Sequence, residues 1–307
     1  MTDKPTDEQL VEGLVRLLTV EKRAADVHAG SPQKGGVGRV FGGQVLAQAL
    51  QAAQSSVPEG KVAHSLHAYF LRGGKEGREI EYRIQRDFDG RSFANRRVVA
   101  AQEGEDGSCS PILNLTASFQ VPEQGLEHID APMPDVDGPE NLKPDMQMRR
   151  EMADKLGDRL DETQRRFMLR PRPIEMRTID RLHWMNSEPR EPRAHTWFRT
   201  AAPLPDDPAL HRAIITYASD YTLLGTSALP HGLSWMRGEL VGASLDHAIW
   251  FHREARADEW LLYATDAPWS GGGRGFNRGR IFNRAGELVA SVAQEGMMRK
   301  RKSKGTS

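Results

Sequence analysis

The chain has 307 residues, long enough for two domains of roughly 120–150 residues each. Lys+Arg and Asp+Glu both number 42, and zero formal charge excludes a general nucleic-acid binder, whose affinity rests on excess positive charge. The single cysteine, Cys109, excludes an internal disulfide and fits a reducing cytoplasm; no apolar run reaches membrane-spanning length, and residues 1–8 do not read as a signal peptide.

The first element is a short helix opened by a capping box, Thr6 with Gln9, and carrying Leu10, Leu14, Leu17 and Leu18 on one face. The glycine-rich passage 31–39 follows, and its spacing matches neither a phosphate loop nor a dinucleotide fingerprint. Residues 41–53 (FGGQVLAQALQAA) form a helix with small residues all round, the mark of a buried helix. The pattern then changes to period two. Strands are predicted at 63–71, 80–86, 93–101 and 112–120, with turns at Gly73–Gly74, Asp89–Gly90 and Asp106–Gly107. One buried helix followed by an antiparallel meander is an α+β layer.

Residues 122–146 have the prolines and acidic residues of a linker, and 146–168 is a charged, helix-prone segment expected to lie across the surface. Strands are predicted at 174–178 and 196–200. The stretch 211–224 (HRAIITYASDYTLL) is a largely apolar helix: Leu210, Ile214, Ala218 and Tyr221 form a stripe that Ile215 and Tyr217 widen. Asp206 or Asp207 caps it and Pro208 sits in its first turn, where a missing N–H is harmless. Asp220 is the one carboxylate of this helix. It lies on a wet edge, or it is enclosed and needs a partner or a task.

Strands at 242–252, 259–265, 274–282 and 288–295 complete the chain before the basic run 299–304. Arg91–Val99 aligns with Arg274–Phe282, and Thr116–Gln120 with Ala290–Gln294, so one helix-plus-sheet unit occurs twice at a spacing of roughly 175–185 residues. The expected organisation is an N-terminal unit over 1–122, a linker over 123–169, a C-terminal unit over 170–300 and a basic tail over 301–307.

Familiar catalytic motifs are absent: no nucleophile elbow, no His-Glu-x-x-His and no Walker loop. Cys109 has no base beside it in sequence. Asp246 and His247 are neighbours on a strand and point to opposite faces, so they do not form a dyad, and His67 and His247 read as structural. What remains are polar residues interrupting apolar elements: Asp220 in the helix, Ser244 at a strand start and Gln294 near the end of the last strand. Their sequence positions alone do not bring them together.

Several runs, however, resemble the acyl-CoA thioesterase II family. In the second half these are YASDY (217–221), LDHAIWFHR (245–253), EWLLY (259–263), RGFNRG (274–279) and VAQEGMMR (292–299). In the first half they are FGGQVLAQAL (41–50), HSLHAYFLR (64–72) and LTASFQ (115–120). The resemblance implies an α+β tandem, or double, hotdog: two central helices, each wrapped by an antiparallel sheet. It implies hydrolysis of acyl-CoA to free acid and coenzyme A without a metal or redox cofactor. The catalytic trio would be Asp220, Ser244 and Gln294, Ser244 standing where many members carry Thr; Asp220 would act as base, with Ser244 and Gln294 holding the water. A homo-oligomer through sheet packing is implied as well. The alternatives are a hotdog hydratase and a non-catalytic acyl-CoA-binding module. Arg72, Arg91, Arg253, Arg274 and Arg278 are the candidates for holding the coenzyme A phosphates.

Overall fold

A computed structural model describes residues 4–33, 38–179, 188–235 and 237–301. Helix α1 (Asp7–Leu18) has the predicted capping box at Thr6 and Gln9. Two short strands that periodicity did not reveal follow, β1 (Val20–Ala24) and β2 (Val27–Gly30). They pair with each other at one edge of the sheet, where β1 is mostly exposed and leaves no alternation to read. Then come α2 (Gly42–Ser55), β3 (Val62–Phe70), β4 (Ile80–Asp89), β5 (Phe93–Glu103) and β6 (Cys109–Gln120). Residues 121–138 carry no regular structure; α3 (Asp145–Leu156) and α4 (Glu162–Leu169) follow.

The second half repeats the grammar: β7 (Ile174–Thr178), β8 (Arg193–Thr200), α5 (Pro208–Ser219), the short α6 (Leu223–Thr226), β9 (Leu240–Ser244), β10 (Asp246–Phe251), β11 (Leu261–Gly271), β12 (Arg274–Phe282) and β13 (Leu288–Lys300). Strands β9 and β10 run along the same neighbour, β13, on either side of Leu245, whose N–H donates to Glu295 O. The predicted strand 242–252 is therefore interrupted at this point.

The tandem hotdog expectation holds, with one change in its geometry. The two sheets are joined, because β3 pairs antiparallel with β10, Leu66 opposite Ile249, and the path runs unbroken from β1 to β7. Helices α2 and α5 are each buried almost all round and pack on each other inside this wrap. They touch at Gly43: a Cβ there would stand 2.4 Å from the Tyr217 carbonyl oxygen, so no side chain fits without moving a backbone. The start of α2 is thus pressed against the end of α5.

Strand register also corrects the internal alignment. Phe93 pairs with Gln120, whereas its counterpart Phe276 pairs with Glu295. Next to them Ala94 pairs with Phe119, and Asn277 with Gln294. Phe119, not Gln120, is therefore the counterpart of Gln294, a one-residue difference that exchanges the inner and outer faces of a strand. Phe119 is fully buried. The first hotdog carries an apolar ring where the second carries an amide.

Candidate active site

Helix α5 begins as the sequence predicts, with Asp207 accepting the Ala209 N–H at 2.9 Å and Pro208 as its first residue. It stops earlier than predicted. Asp220 is not inside the helix but is the residue that caps its C-terminal end (φ −86°, ψ −5°), and α6 starts only at Leu223. This change of direction takes the carboxylate off the helix side and turns it toward the start of α2. A Cβ on Gly42 would lie 2.6 Å from Asp220 Oδ2, so the glycine is what admits the carboxylate. The Gly43 N–H donates to the same group.

The three residues singled out in the sequence come together. Gln294 Nε2 donates to Asp220 Oδ1 at 2.7 Å, and Ser244 Oγ donates to the same oxygen across a long 3.4 Å. Their exposures differ, and this separates their roles. The Asp220 side chain is 6 % exposed, and both Asp220 and Ser244 line a cavity. Gln294 is fully buried and absent from the cavity wall. Its contact with the site is the hydrogen bond to Asp220 Oδ1.

His247, read from sequence as structural, completes the layer behind Gln294. Its Nδ1 lies 3.0 Å from Gln294 Nε2 and its Nε2 lies 2.9 Å from Ser219 Oγ. Ser219 uses its only proton on the Thr216 carbonyl. His247 Nε2–H must therefore donate to Ser219, which leaves Nδ1 as acceptor for the Gln294 amide. Complete burial pushes the imidazole pKa down to about 3, so the ring is neutral. The 4.0 Å separation of His247 Nδ1 from Asp220 Oδ1 is consequently not an ion pair. Asp246 points the other way and accepts the Glu295 N–H at 2.7 Å, as expected for adjacent strand residues. The relay Thr216–Ser219–His247–Gln294–Asp220 was not legible in sequence, because its members belong to three elements that meet only in the fold.

Burial dominates the electrostatics of Asp220. It raises the carboxyl pKa from 3.8 to about 6, against the opposing pull of hydrogen bonds from Gln294, Gly43 N–H and Ser244. The cavity in front has a volume of about 1250 Å³. Its apolar wall includes Leu14 and Leu17 of α1, Val45 of α2, and Phe70; α4 adds Phe167 and Met168. The 146–168 segment thus does more than cross the surface, because it helps to roof the site. Among the described residues five arginines line the same space, Arg39, Arg72, Arg149, Arg170 and Arg172, against two carboxylates, Asp220 and Glu76. Of the five arginines named from sequence only Arg72 is among them. Arg253 pairs with Glu127, Arg274 with Glu295 and Arg278 with Asp266, and Arg91 is exposed away from the cavity lining. Among the described residues, no group of three or more His, Cys, Asp or Glu side chains is placed to hold a metal ion.

Comparison with known proteins finds relatives along nearly the whole chain. Residues 31–120 match the family described as acyl-CoA thioesterase N-terminal domain, and 139–298 the one described as acyl-CoA thioesterase C-terminal domain. The chain is 35 % identical over 290 residues to acyl-CoA thioesterase 2 of Haemophilus influenzae, covering 94 % of this chain and 98 % of that protein. It is 35 % identical over 274 residues to human acyl-coenzyme A thioesterase 8, covering 85 % and 81 % of the two chains. The crystal structure of an acyl-CoA thioesterase II, TesB2, from Mycobacterium marinum superposes with a TM-score of 0.73 at 36 % identity, covering 94 % of this chain and 98 % of that one.

The raised pKa has a consequence for stability. Between pH 3.8 and about 6 the folded state holds a proton on Asp220 that the unfolded chain has released. Stability contributed by this group is therefore lost as pH rises through that window, and above it the charged carboxylate costs the fold on the order of 3 kcal/mol. Asp220→Asn removes the titration. Thermal melts at about pH 4.5 and about pH 7.5 should show the Tm difference growing in favour of the Asn protein at the higher pH. A difference independent of pH would mean that the carboxylate is not held in a desolvated state.

Proposed function

The chain belongs to the acyl-CoA thioesterase II family and is a thioester hydrolase, and from this we propose that Asp220 is the general base for direct attack of water on an acyl-CoA. The observation that carries the assignment is a carboxylate with a pKa raised to about 6 on the wall of a largely apolar cavity. At neutral pH such a group is ionised yet basic enough to take a proton from water. Ser244, on the same wall, orients the water. Gln294 fixes Oδ1 of the base, and His247 fixes Gln294.

The water oxygen bonds to the thioester carbonyl carbon as its proton passes to Asp220. The developing oxyanion faces the backbone at Gly42, the first residue of α2, which lines the cavity, while the Gly43 N–H stays on Asp220. The C–S bond then breaks, and the proton held by Asp220 goes to the departing sulfur. The products are a free acid and coenzyme A.

The acyl chain runs along Leu14, Leu17, Val45 and Phe70. The arginine-rich part of the lining takes the phosphates of the coenzyme, since five guanidinium groups against two carboxylates is a strong local excess in a chain of zero net charge. Arg172 stands over the Tyr221 ring, 5.6 Å from its centroid, next in sequence to the base. A hydratase would need a His facing the acyl chain. His247 is fully buried with both ring nitrogens engaged, which speaks against that alternative. We also propose a cytoplasmic location, in keeping with an exposed free Cys109, and self-association through the outer sheet face. On that face Tyr69 is 61 % exposed and Trp250 packs edge-on against His67.

Release of free thiol from acyl-CoA tests the base. Asp220→Asn should lower turnover by about a hundredfold or more, and the wild-type kcat/KM should fall as pH drops through the region near 6, where the base becomes protonated. Binding of acyl-CoA by wild type without thiol release would instead establish the binding-module alternative.

Replacing Arg172 by Gln should raise KM for acyl-CoA by about tenfold or more. The same acyl group on N-acetylcysteamine, which lacks the nucleotide, should give an unchanged KM. Equal effects on both substrates would remove Arg172 from phosphate binding.

Sedimentation velocity should find a species heavier than the monomer, and Trp250→Asp should shift it toward monomer. A wild-type monomer at micromolar concentration would sink the self-association proposal.

A further inference from the structure

Helix α1 contains an unexplained residue. Gly13 sits in the middle of the helix, where glycine is about 1 kcal/mol less favourable than alanine. The helix is otherwise well made, with a reciprocal capping box and a buried stripe of Val11, Leu14, Leu17 and Leu18. Two ordinary reasons for a glycine fail here. Its φ is not positive, so alanine would adopt the same backbone. A Cβ at Gly13 would meet no atom within 4 Å, so no neighbour demands its absence. The glycines at the α2–α5 contact are the opposite case, since a Cβ at Gly42 or Gly43 would run into atoms at 2.6 Å and 2.4 Å.

What lies in front of Gly13 is the cavity. Leu10, Gly13, Leu14 and Leu17 succeed one another at helical spacing along its wall, and the same cavity holds Asp220. In this row of leucines the glycine is a notch one side chain deep. We propose that the notch at Gly13 sets how long an acyl chain the enzyme accepts, because it leaves open the space that a side chain on α1 would otherwise fill.

This rests on the thioesterase assignment above and adds a specificity-determining residue to it. Gly13 touches neither the base nor its relay. Filling the notch should therefore act on the far part of the acyl chain rather than on the reacting carbonyl. Alanine would fill it in part, and leucine would continue the apolar row and fill it.

The test is thiol release from a series of saturated acyl-CoAs of increasing length, with wild type, Gly13→Ala and Gly13→Leu, alongside thermal melts. Both variants should melt at or above the wild-type temperature, because a helix-interior glycine has been replaced by a better helix former. The ratio of kcat/KM for the longest to the shortest substrate should fall by about tenfold or more in Gly13→Leu, the loss of roughly 1.4 kcal/mol of chain binding. Gly13→Ala should move it the same way by a smaller factor.

A Gly13→Leu profile that superposes on wild type overturns the proposal. So does an equal loss at every chain length, which would mark α1 as a structural cover. Should Gly13→Leu fail to fold, the Gly13→Ala profile decides: an unchanged length ratio in a protein that melts normally overturns it. Wild type that releases no thiol from any chain length overturns the thioesterase assignment itself, and this inference with it.

Discussion

The structure turns on the close contact between the end of one buried helix and the start of the other. Gly43 lets the two backbones touch, and Gly42 leaves a gap the size of a carboxylate oxygen, into which Asp220 turns as the α5 helix ends. A carboxylate here is removed from water but not abandoned, because amide, hydroxyl and backbone donors converge on it. Desolvation and hydrogen bonding pull its pKa in opposite directions, and desolvation wins, leaving it at about 6. Basicity in this site is thus a product of packing.

Behind Asp220 the chain spends several polar residues on orientation. A glutamine amide can present either its N or its O to a neighbour, and only the N-first arrangement suits an anion. His247 makes that choice, since its Nδ1 accepts the other amide proton, and Ser219 in turn makes the choice of tautomer for His247. Among the described residues the buried Gln294 Oε1 has no partner, a local cost that this orientation accepts. Thr216, Ser219, His247 and Gln294 are all fully buried between the joined sheet and the helix it encloses, and only Asp220 reaches the cavity.

Much of this was legible in the chain itself. The apolar period of 41–53 and of 211–224 gave the two central helices, and the alternation of 80–86, 93–101 and 274–282 gave the strands, because burial of one face leaves a regular trace. The end of α5 was not legible. Tyr217–Leu224 continues the apolar pattern, whereas the backbone turns at Asp220 for a tertiary reason, the space beside Gly42. The pairing of β3 with β10 was hidden for a similar reason, since strand partners distant in sequence leave no local mark. The trio could be named only through resemblance, and its division into residues that face the cavity and one that does not required the fold. The arginines of the cavity illustrate the same limit: four of the five lie outside the runs that drew attention, and those inside the runs are mostly engaged in surface ion pairs.

The unbroken sheet formed by β3 and β10 also bears on how such a protein can change. Two separate copies of one hotdog, related by a twofold axis, must carry the same residue at both equivalent positions. A single chain containing both is free of that obligation. It also cannot come apart on dilution, because the two units remain at a high effective concentration. One unit can therefore lose its polar groups while still supplying the helix start against which the other unit's carboxylate rests. Phe119 where the second unit has Gln294, together with the Gly42–Gly43 pair that serves Asp220 from across the junction, is that division of labour written into one polypeptide.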